Sequence, residues 1–146
     1  MFELTRSNID LGLVCSNFDA SLHFYRDILG LEVVAEVHIP SETAIKAGLA
    51  PRKFRQVRLQ AGEALIKLME IETPPRSRTE EFAAGVRWLT FFVSDVQSTY
   101  NDLSIRGARF ISEPIPGDDR VVGENTVAGV VCAVDPDGLL IEFVQL

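Results

Sequence analysis

The sequence predicts an α+β protein made of two tandem βαβββ units that form a shared concave mixed sheet. Three observations predict this fold class. Runs with strand-like and helix-like periodicity alternate along the chain, the order strand, helix, strand, strand, strand occurs twice, and the two halves correspond when shifted by 75 to 78 residues. The length of 146 residues fits one domain. We therefore assign residues 1–146 to a single domain, with repeat units at 7–72 and 85–146 and a linker at 73–84.

The first half opens with a short apolar strand that leads into an amphipathic helix. Apolar residues recur at three- and four-residue spacing from Phe18 to Leu29, as on one face of a helix. Ser16, followed by Asp19, predicts the N-terminal cap, and Gly30 predicts the end. The predicted elements of this half are a strand at 8–15, a helix at 18–30, a strand at 31–39, a short helix or loop at 41–48, and a hairpin of strands 54–60 and 64–71 around the turn 61–63.

The second half repeats this order. Ser94 or Asp95 caps its helix, and Gly107 predicts the end of that helix. The turn Asp-Pro-Asp-Gly at 135–138 joins the last two strands. The predicted elements of this half are a strand at 86–93, a helix at 94–107, a strand at 108–114, and a hairpin of strands 130–134 and 139–145.

The two halves align without gaps within each matching piece. A shift of 78 residues places Asn17 on Asp95, and a shift of 75 places residues 57–70 on 132–145. A unit of about 65 residues cannot bury both faces of its own sheet, so we expect two units to pair and to enclose a cavity between them. The long aperiodic segment 112–128 is either a lid over that cavity or a disordered surface loop.

Composition and charge narrow the function classes. Hydrophobic residues make up 47% of the chain, and 14 basic against 21 acidic residues give a net charge of −7, which is typical of a folded protein that does not bind nucleic acid. Cys15 and Cys132 lie in apolar runs, so no disulfide framework is expected. Because no apolar run has the length of a signal peptide or a membrane span, we expect a soluble, cytoplasmic protein without membrane contact.

Two motifs, together with the duplication, carry a resemblance to a known family. The helix end FYRDILGLEV at 24–33 and the hairpin DPDGLLIEFVQ at 135–145 resemble the vicinal oxygen chelate superfamily. That superfamily includes glyoxalase I, methylmalonyl-CoA epimerase, extradiol dioxygenases, fosfomycin resistance enzymes and bleomycin resistance proteins. The resemblance implies the glyoxalase-like fold over almost the whole chain and a homodimer. Because this fold hosts many chemistries, it does not by itself imply one reaction.

The resemblance also implies four metal-ligand positions, which fall on Asp10, Lys67, Trp88 and Glu142. A protonated amine and an indole have no lone pair to donate to a divalent ion. We therefore expect no metal or other cofactor, with Glu142 and Asp10 as the fallback ligands if an ion binds. In our hypothesis the Lys67 ammonium stands where the ion would be and pairs with these carboxylates.

Two function classes remain. The first is a binding protein similar to bleomycin resistance proteins, which holds a small hydrophobic or aromatic molecule in a cavity lined by Trp88, Phe91 and Tyr25, with His38 as a further binding residue. The alternative is an enzyme, a lyase, an isomerase or epimerase, or a dioxygenase, with a divergent metal site. The three residues that it would use for proton transfer or for polarising a carbonyl oxygen are Glu142, Asp10 and Lys67.

A cluster of positive charges adds a further possibility. Arg52, Lys53, Arg55 and Arg58 lie within seven residues of an otherwise acidic chain. Such a cluster binds a ligand carboxylate or phosphate, or it forms a solvated strand edge.

Overall fold

The computed structural model describes residues 2–117 and 121–146, which divide into two compact units, unit 1 (Met1–Ser77) and unit 2 (Arg78–Leu146). Each unit contains a mixed sheet and helices, and the α+β prediction is confirmed. No helix among these residues combines the length and the apolarity that a membrane crossing needs.

Unit 1 is a four-stranded mixed sheet with a helix on one face. Its elements are β1 (Leu11–Val14), α1 (Phe18–Leu22) with a π-helical continuation (His23–Ile28), β2 (Val33–Ile39), α2 (Ser41–Lys46), β3 (Phe54–Ala61) and β4 (Ala64–Glu70). The strand order is β1-β4-β3-β2, and β1 runs parallel to β4 while the other neighbours are antiparallel. The predicted hairpin turn is present, with Gly62 at a positive φ of 60° that suits a residue without Cβ.

The helix of unit 1 differs from the prediction in its cap and in its winding. Asn17, and not Ser16, accepts the hydrogen bond from the backbone N–H of Ala20, at 3.0 Å. From His23 the helix widens into π-helical turns, so that Leu29 N–H donates to the carbonyl of Phe24, five residues earlier. The 3.6-residue period was therefore correct only for the first part of this helix.

Unit 2 repeats the architecture of unit 1. Its elements are β5 (Trp88–Val93), α3 (Val96–Ile105), β6 (Arg109–Phe110), β7 (Ile115–Pro116), β8 (Val121–Val122), β9 (Asn125–Thr126), β10 (Gly129–Val134) and β11 (Leu140–Gln145). The strand order β5-β11-β10-β6 again places the last strand parallel to the first. Asp95 is the N-cap of α3 and accepts from Ser98 N–H at 2.6 Å.

The strand register confirms the duplication and corrects one of its two shifts. Leu11 pairs with Ile66 in unit 1 and Leu89 pairs with Ile141 in unit 2, in agreement with shifts of 78 and 75. In β3 the shift is 74: Val57 pairs with Leu68, and the matching partner of Phe143 is Val131 instead of Cys132. The second turn is one residue longer, because the buried Asp135 carboxylate folds it by accepting from two backbone N–H groups.

The predicted strand 108–114 is also shorter than expected, since only Arg109–Phe110 pairs in it. Beyond it, β7 pairs with β10, and Gly117 N–H donates to Ala128 O at 2.8 Å. A Cβ on Gly117 would come within 1.7 Å of the Val127 carbonyl oxygen, so this approach requires glycine. The lid predicted at 112–128 includes residues 118–120, which lie outside the described residues.

Candidate functional site

Alternation along the strands gives each sheet a helix-covered face and an opposite face. In unit 1, Val57 and Leu68 are buried on the helix-covered face, and Arg55 on the same face lies over the Phe18 ring of α1 at 4.6 Å. In unit 2, the helix-covered face carries an aromatic cluster in which Phe110 contacts Tyr100 of α3 and Phe143. The candidate residues therefore divide by strand parity.

Asp10 and Lys67 form an ion pair on the opposite face of unit 1. The Lys67 Nζ lies 3.0 Å from Asp10 Oδ2, and the two side chains are only 27% and 24% exposed. Asp10 Oδ1 also accepts from the backbone N–H of Leu65 at 2.9 Å. Hydrogen bonding from Lys67, and then from Leu65, holds the pKa of Asp10 below its usual value. The predicted pairing of Lys67 with Asp10 is thus present within unit 1.

Arg58 belongs to the same group of side chains. In the β3–β4 register Arg58 lies directly opposite Lys67, and its Nε–H donates to Gln56 Oε1 at 2.9 Å. We call Asp10, Gln56, Arg58 and Lys67 the polar face of unit 1. The sequence did not single out Arg58 from its basic neighbours, although the hairpin turn at 61–63 and a count back along both strands would have placed it opposite Lys67.

The four basic residues at 52–58 do not form one cluster. Arg55 points to the helix-covered face, where it pairs with Glu36 at 3.2 Å and with Glu70 at 3.4 Å. Arg52 forms an exposed ion pair with Glu72 at 3.1 Å. Residues three apart on a strand point to opposite faces, so the prediction of one shared anion site for all four side chains was wrong.

The corresponding face of unit 2 presents aromatic rings and a carboxylate. Trp88 is 55% exposed and Phe92 is 57% exposed. Between them, the Thr90 hydroxyl donates to Glu142 Oε2 at 2.6 Å across the parallel β5–β11 pair. We call Trp88, Thr90, Phe92 and Glu142 the aromatic face of unit 2. Phe92 and Thr90 were missed in the sequence, although the two-residue period starting at Trp88 identifies both.

Two residues predicted to line the ligand cavity lie elsewhere. Phe91 points to the helix-covered face of unit 2, where its ring centroid is 5.9 Å from that of Phe143. It cannot share a face with Trp88, because the two residues are separated by an odd number of positions in β5. Tyr25 has no exposed surface and packs edge-on against Phe24 in the core of unit 1. Both residues are therefore core residues in the structure.

His38 lies apart from the polar face. Its side chain is 76% exposed, and its Nε2 is 3.9 Å from Glu36 Oε1. Together with Phe18, Ile39 and Phe54 it lines a cleft of about 830 Å³ at one end of the unit 1 sheet. The sequence did not predict this cleft, because its walls come from four separate segments of the chain.

Comparison with known proteins agrees with this architecture. A family model described as the Glyoxalase/Bleomycin resistance protein/Dioxygenase superfamily matches residues 9–143. The chain belongs to this superfamily. The uncharacterized protein YwkD of Bacillus subtilis (strain 168) is 28% identical over 142 residues, which cover 97% of this chain and 98% of YwkD. The uncharacterized protein YaeR of Escherichia coli (strain K12) is 26% identical over 135 residues and covers 92% of both chains.

Solved structures of the same superfamily show the same fold. A glyoxalase family protein from Bacillus cereus has a TM-score of 0.72 at 20% identity, over 99% of this chain and 95% of that chain. Glyoxalase I from Zea mays has a TM-score of 0.65 at 17% identity, over 90% of this chain and 41% of that chain. At these identities the comparison establishes the fold and leaves the activity open.

The side chains at the four positions that the resemblance assigns to metal ligands do not fit a divalent ion. Lys67 is held as an ion-pair donor by Asp10, and both oxygens of Asp10 already accept hydrogen bonds. The indole of Trp88 has no lone pair to donate. Within residues 2–117 and 121–146, no three His, Cys, Asp or Glu side chains are arranged to hold an ion. Of the four positions, only Glu142 keeps a ligand type that divalent ions commonly use.

Proposed function

We propose that this superfamily member binds a small hydrophobic or aromatic molecule between its two βαβββ units, without a metal ion. The observation that carries the proposal is the pair of rings on the aromatic face, Trp88 and Phe92, each more than half exposed on one side of β5. Exposed rings side by side on a strand offer a flat apolar surface on which a second aromatic system stacks.

The polar face supports the metal-free part of this proposal. An ammonium group in contact with Asp10 supplies a fixed positive charge without an ion. Lys67 and Glu142 occupy equivalent positions of β4 and β11, related by the shift of 75 residues. The proposed cavity thus has a cation on one unit and a carboxylate on the other, with the Trp88 and Phe92 rings beside the carboxylate.

An enzyme remains the second candidate, and Glu142 is the residue that favours it. Of the two carboxylates in the candidate set, Asp10 is the weaker base, because its pKa is lowered by Lys67. Glu142 accepts a short hydrogen bond from the neutral Thr90 hydroxyl, which fixes its orientation. A reaction that moves a proton next to a carbonyl group would therefore use Glu142 as the proton acceptor.

Calorimetry and elemental analysis of the full-length protein test the binding proposal. We expect the neutral aromatic probe 2-naphthamide to bind the wild type, and binding to weaken in Trp88→Ala. The matched control is Phe82→Ala, since Phe82 is 83% exposed and lies before β5. Elemental analysis after incubation with manganese, iron(II), nickel and zinc, followed by desalting, should find no stoichiometric metal.

Two results would contradict the proposal. A stoichiometric metal would restore the metalloenzyme alternative and would show that Lys67 can lose its proton. If 2-naphthamide does not bind, or binds Trp88→Ala as tightly as the wild type, the aromatic face is not the binding surface.

A further inference from the structure

The polar face of unit 1 contains two like charges that the fold places side by side. Arg58 on β3 and Lys67 on β4 are direct cross-strand partners. Such partners have Cβ atoms about 5 Å apart, and like charges in this relation destabilise a sheet. The equivalent positions of unit 2 are Cys132 and Glu142, which form no cation pair. The like-charge pair is therefore a property of unit 1 and does not follow from the repeated fold.

One carboxylate does not neutralise this pair. Asp10 contacts Lys67, and its second oxygen is taken by the Leu65 amide. The acidic side chains that flank β3, Glu36 and Glu70, pair with Arg55 on the opposite side of the sheet. Two cations and one anion thus share the polar face, which leaves one positive charge in excess.

The guanidinium group of Arg58 also has donors to spare. Its Nε–H is used by Gln56, which is buried and holds the group in place. Within the part of the chain that the structure describes, neither of its two terminal nitrogens has a hydrogen-bond or ion-pair partner. These two nitrogens form one edge of the planar fork, which matches the two oxygens of a carboxylate.

We propose that Arg58 and Lys67 bind the carboxylate group of a small-molecule ligand. Arg58 donates from its terminal nitrogens, Lys67 adds a third donor, and Asp10 keeps the Lys67 ammonium in position. This inference rests on the proposed function, because it assigns an acidic group to the aromatic ligand that the aromatic face would hold. The ligand class is accordingly an aromatic or apolar carboxylic acid in its ionised form.

Two probes of the same shape separate this inference from the proposed function. Calorimetric titration of the full-length protein compares 2-naphthoate, which carries the carboxylate, with neutral 2-naphthamide. A charge-assisted hydrogen bond contributes enough for us to expect the wild type to prefer 2-naphthoate by at least about tenfold. Arg58→Gln should remove this preference, whereas the control Arg52→Gln, on the exposed Glu72 pair, should keep it.

The outcomes bear on the two proposals differently. If both probes bind the wild type equally, the proposed function stands and the carboxylate site is overturned. If only 2-naphthoate binds, the carboxylate site is supported and apolar contact alone is insufficient. If neither binds, both are contradicted. A preference that survives in Arg58→Gln would show that Arg58 takes no part.

A second variant guards against loss of folding. Arg58→Lys keeps the charge and loses the planar fork, so its preference for 2-naphthoate should fall between that of the wild type and no preference. A preference in Arg58→Lys equal to that of the wild type would overturn the two-point contact. Thermal denaturation without ligand supplies a readout that a purely structural Arg58 would move in the opposite direction. Relief of the repulsion should leave the midpoint of Arg58→Gln no lower than that of the wild type.

Discussion

Separate replacement of the adjacent residues Phe91 and Phe92 by alanine should have opposite consequences. Phe91 lies on the helix-covered face of unit 2 against Phe143, and Phe92 lies on the aromatic face and is 57% exposed. We expect Phe91→Ala to lower the free energy of unfolding and to leave ligand affinity unchanged. Phe92→Ala should weaken ligand binding and leave stability nearly unchanged.

The magnitudes follow from burial. Phenylalanine-to-alanine changes in a core cost about 3–5 kcal/mol, so about 2–3 kcal/mol is expected for the partly buried Phe91. A phenylalanine side chain has on the order of 200 Å² of surface, so Phe92 leaves about 110 Å² in water. At about 25 cal/mol per Å² this area corresponds to about 3 kcal/mol if a ligand covers it completely. Partial cover by a bicyclic ring predicts about tenfold weaker binding in Phe92→Ala.

Guanidinium denaturation and titration with 2-naphthamide measure the two effects on the same preparations. The stability of Phe92→Ala should stay within about 1 kcal/mol of the wild type. The reasoning is refuted if Phe91→Ala selectively weakens 2-naphthamide binding, or if the two variants lose the same stability. Either result would mean that β5 presents its other face to the ligand.

Three further predictions concern the elements that hold the two faces in place. Asp135→Ala should destabilise the protein by about 2–4 kcal/mol in thermal denaturation, because two backbone N–H groups, one on the buried Leu139, lose their acceptor. The lowered pKa of Asp10 means that its pair with Lys67 stabilises the fold above the ordinary carboxyl value of 3.8 and ceases to do so as the pH falls through the lower folded value. The stability difference between the wild type and Asp10→Asn should therefore shrink on acidification below pH 3.8, and a difference that grew would contradict this pairing. Asn17→Ala should cost about 1 kcal/mol in guanidinium denaturation, whereas Asn17→Asp should cost little, and equal losses would contradict the capping role.

Much of the fold could be predicted because its signals are local. The duplication, the hairpin turn at Gly62 and the cap at Asp95 each depend on a few neighbouring residues whose backbone preferences are strong. The π-helical turns after Leu22 could not be predicted, because a wider winding changes which residues face the core without a distinct residue signature. The extra residue in the second turn was missed for a similar reason, since only the Val131–Phe143 pairing reveals it.

The candidate site shows the same division. Asp10, Lys67, Trp88 and Glu142 were found from the sequence because charged or bulky residues at these points interrupt otherwise apolar strands. Arg58 and Phe92 were not found, and Phe91 was placed on the wrong face. The side-chain direction in a strand alternates with every residue, so an error of one position exchanges the two faces.

The sequence by itself determined the residue types of the site, the duplicated order of elements and the strands that carry the charges. Only the tertiary structure decided which side chains meet. The β3–β4 register places Arg58 opposite Lys67, and the parallel β5–β11 pair brings Thr90 to Glu142. These contacts join residues that are distant in sequence, and their register is set by turn length and by burial of one sheet face, both of which are properties of the folded chain.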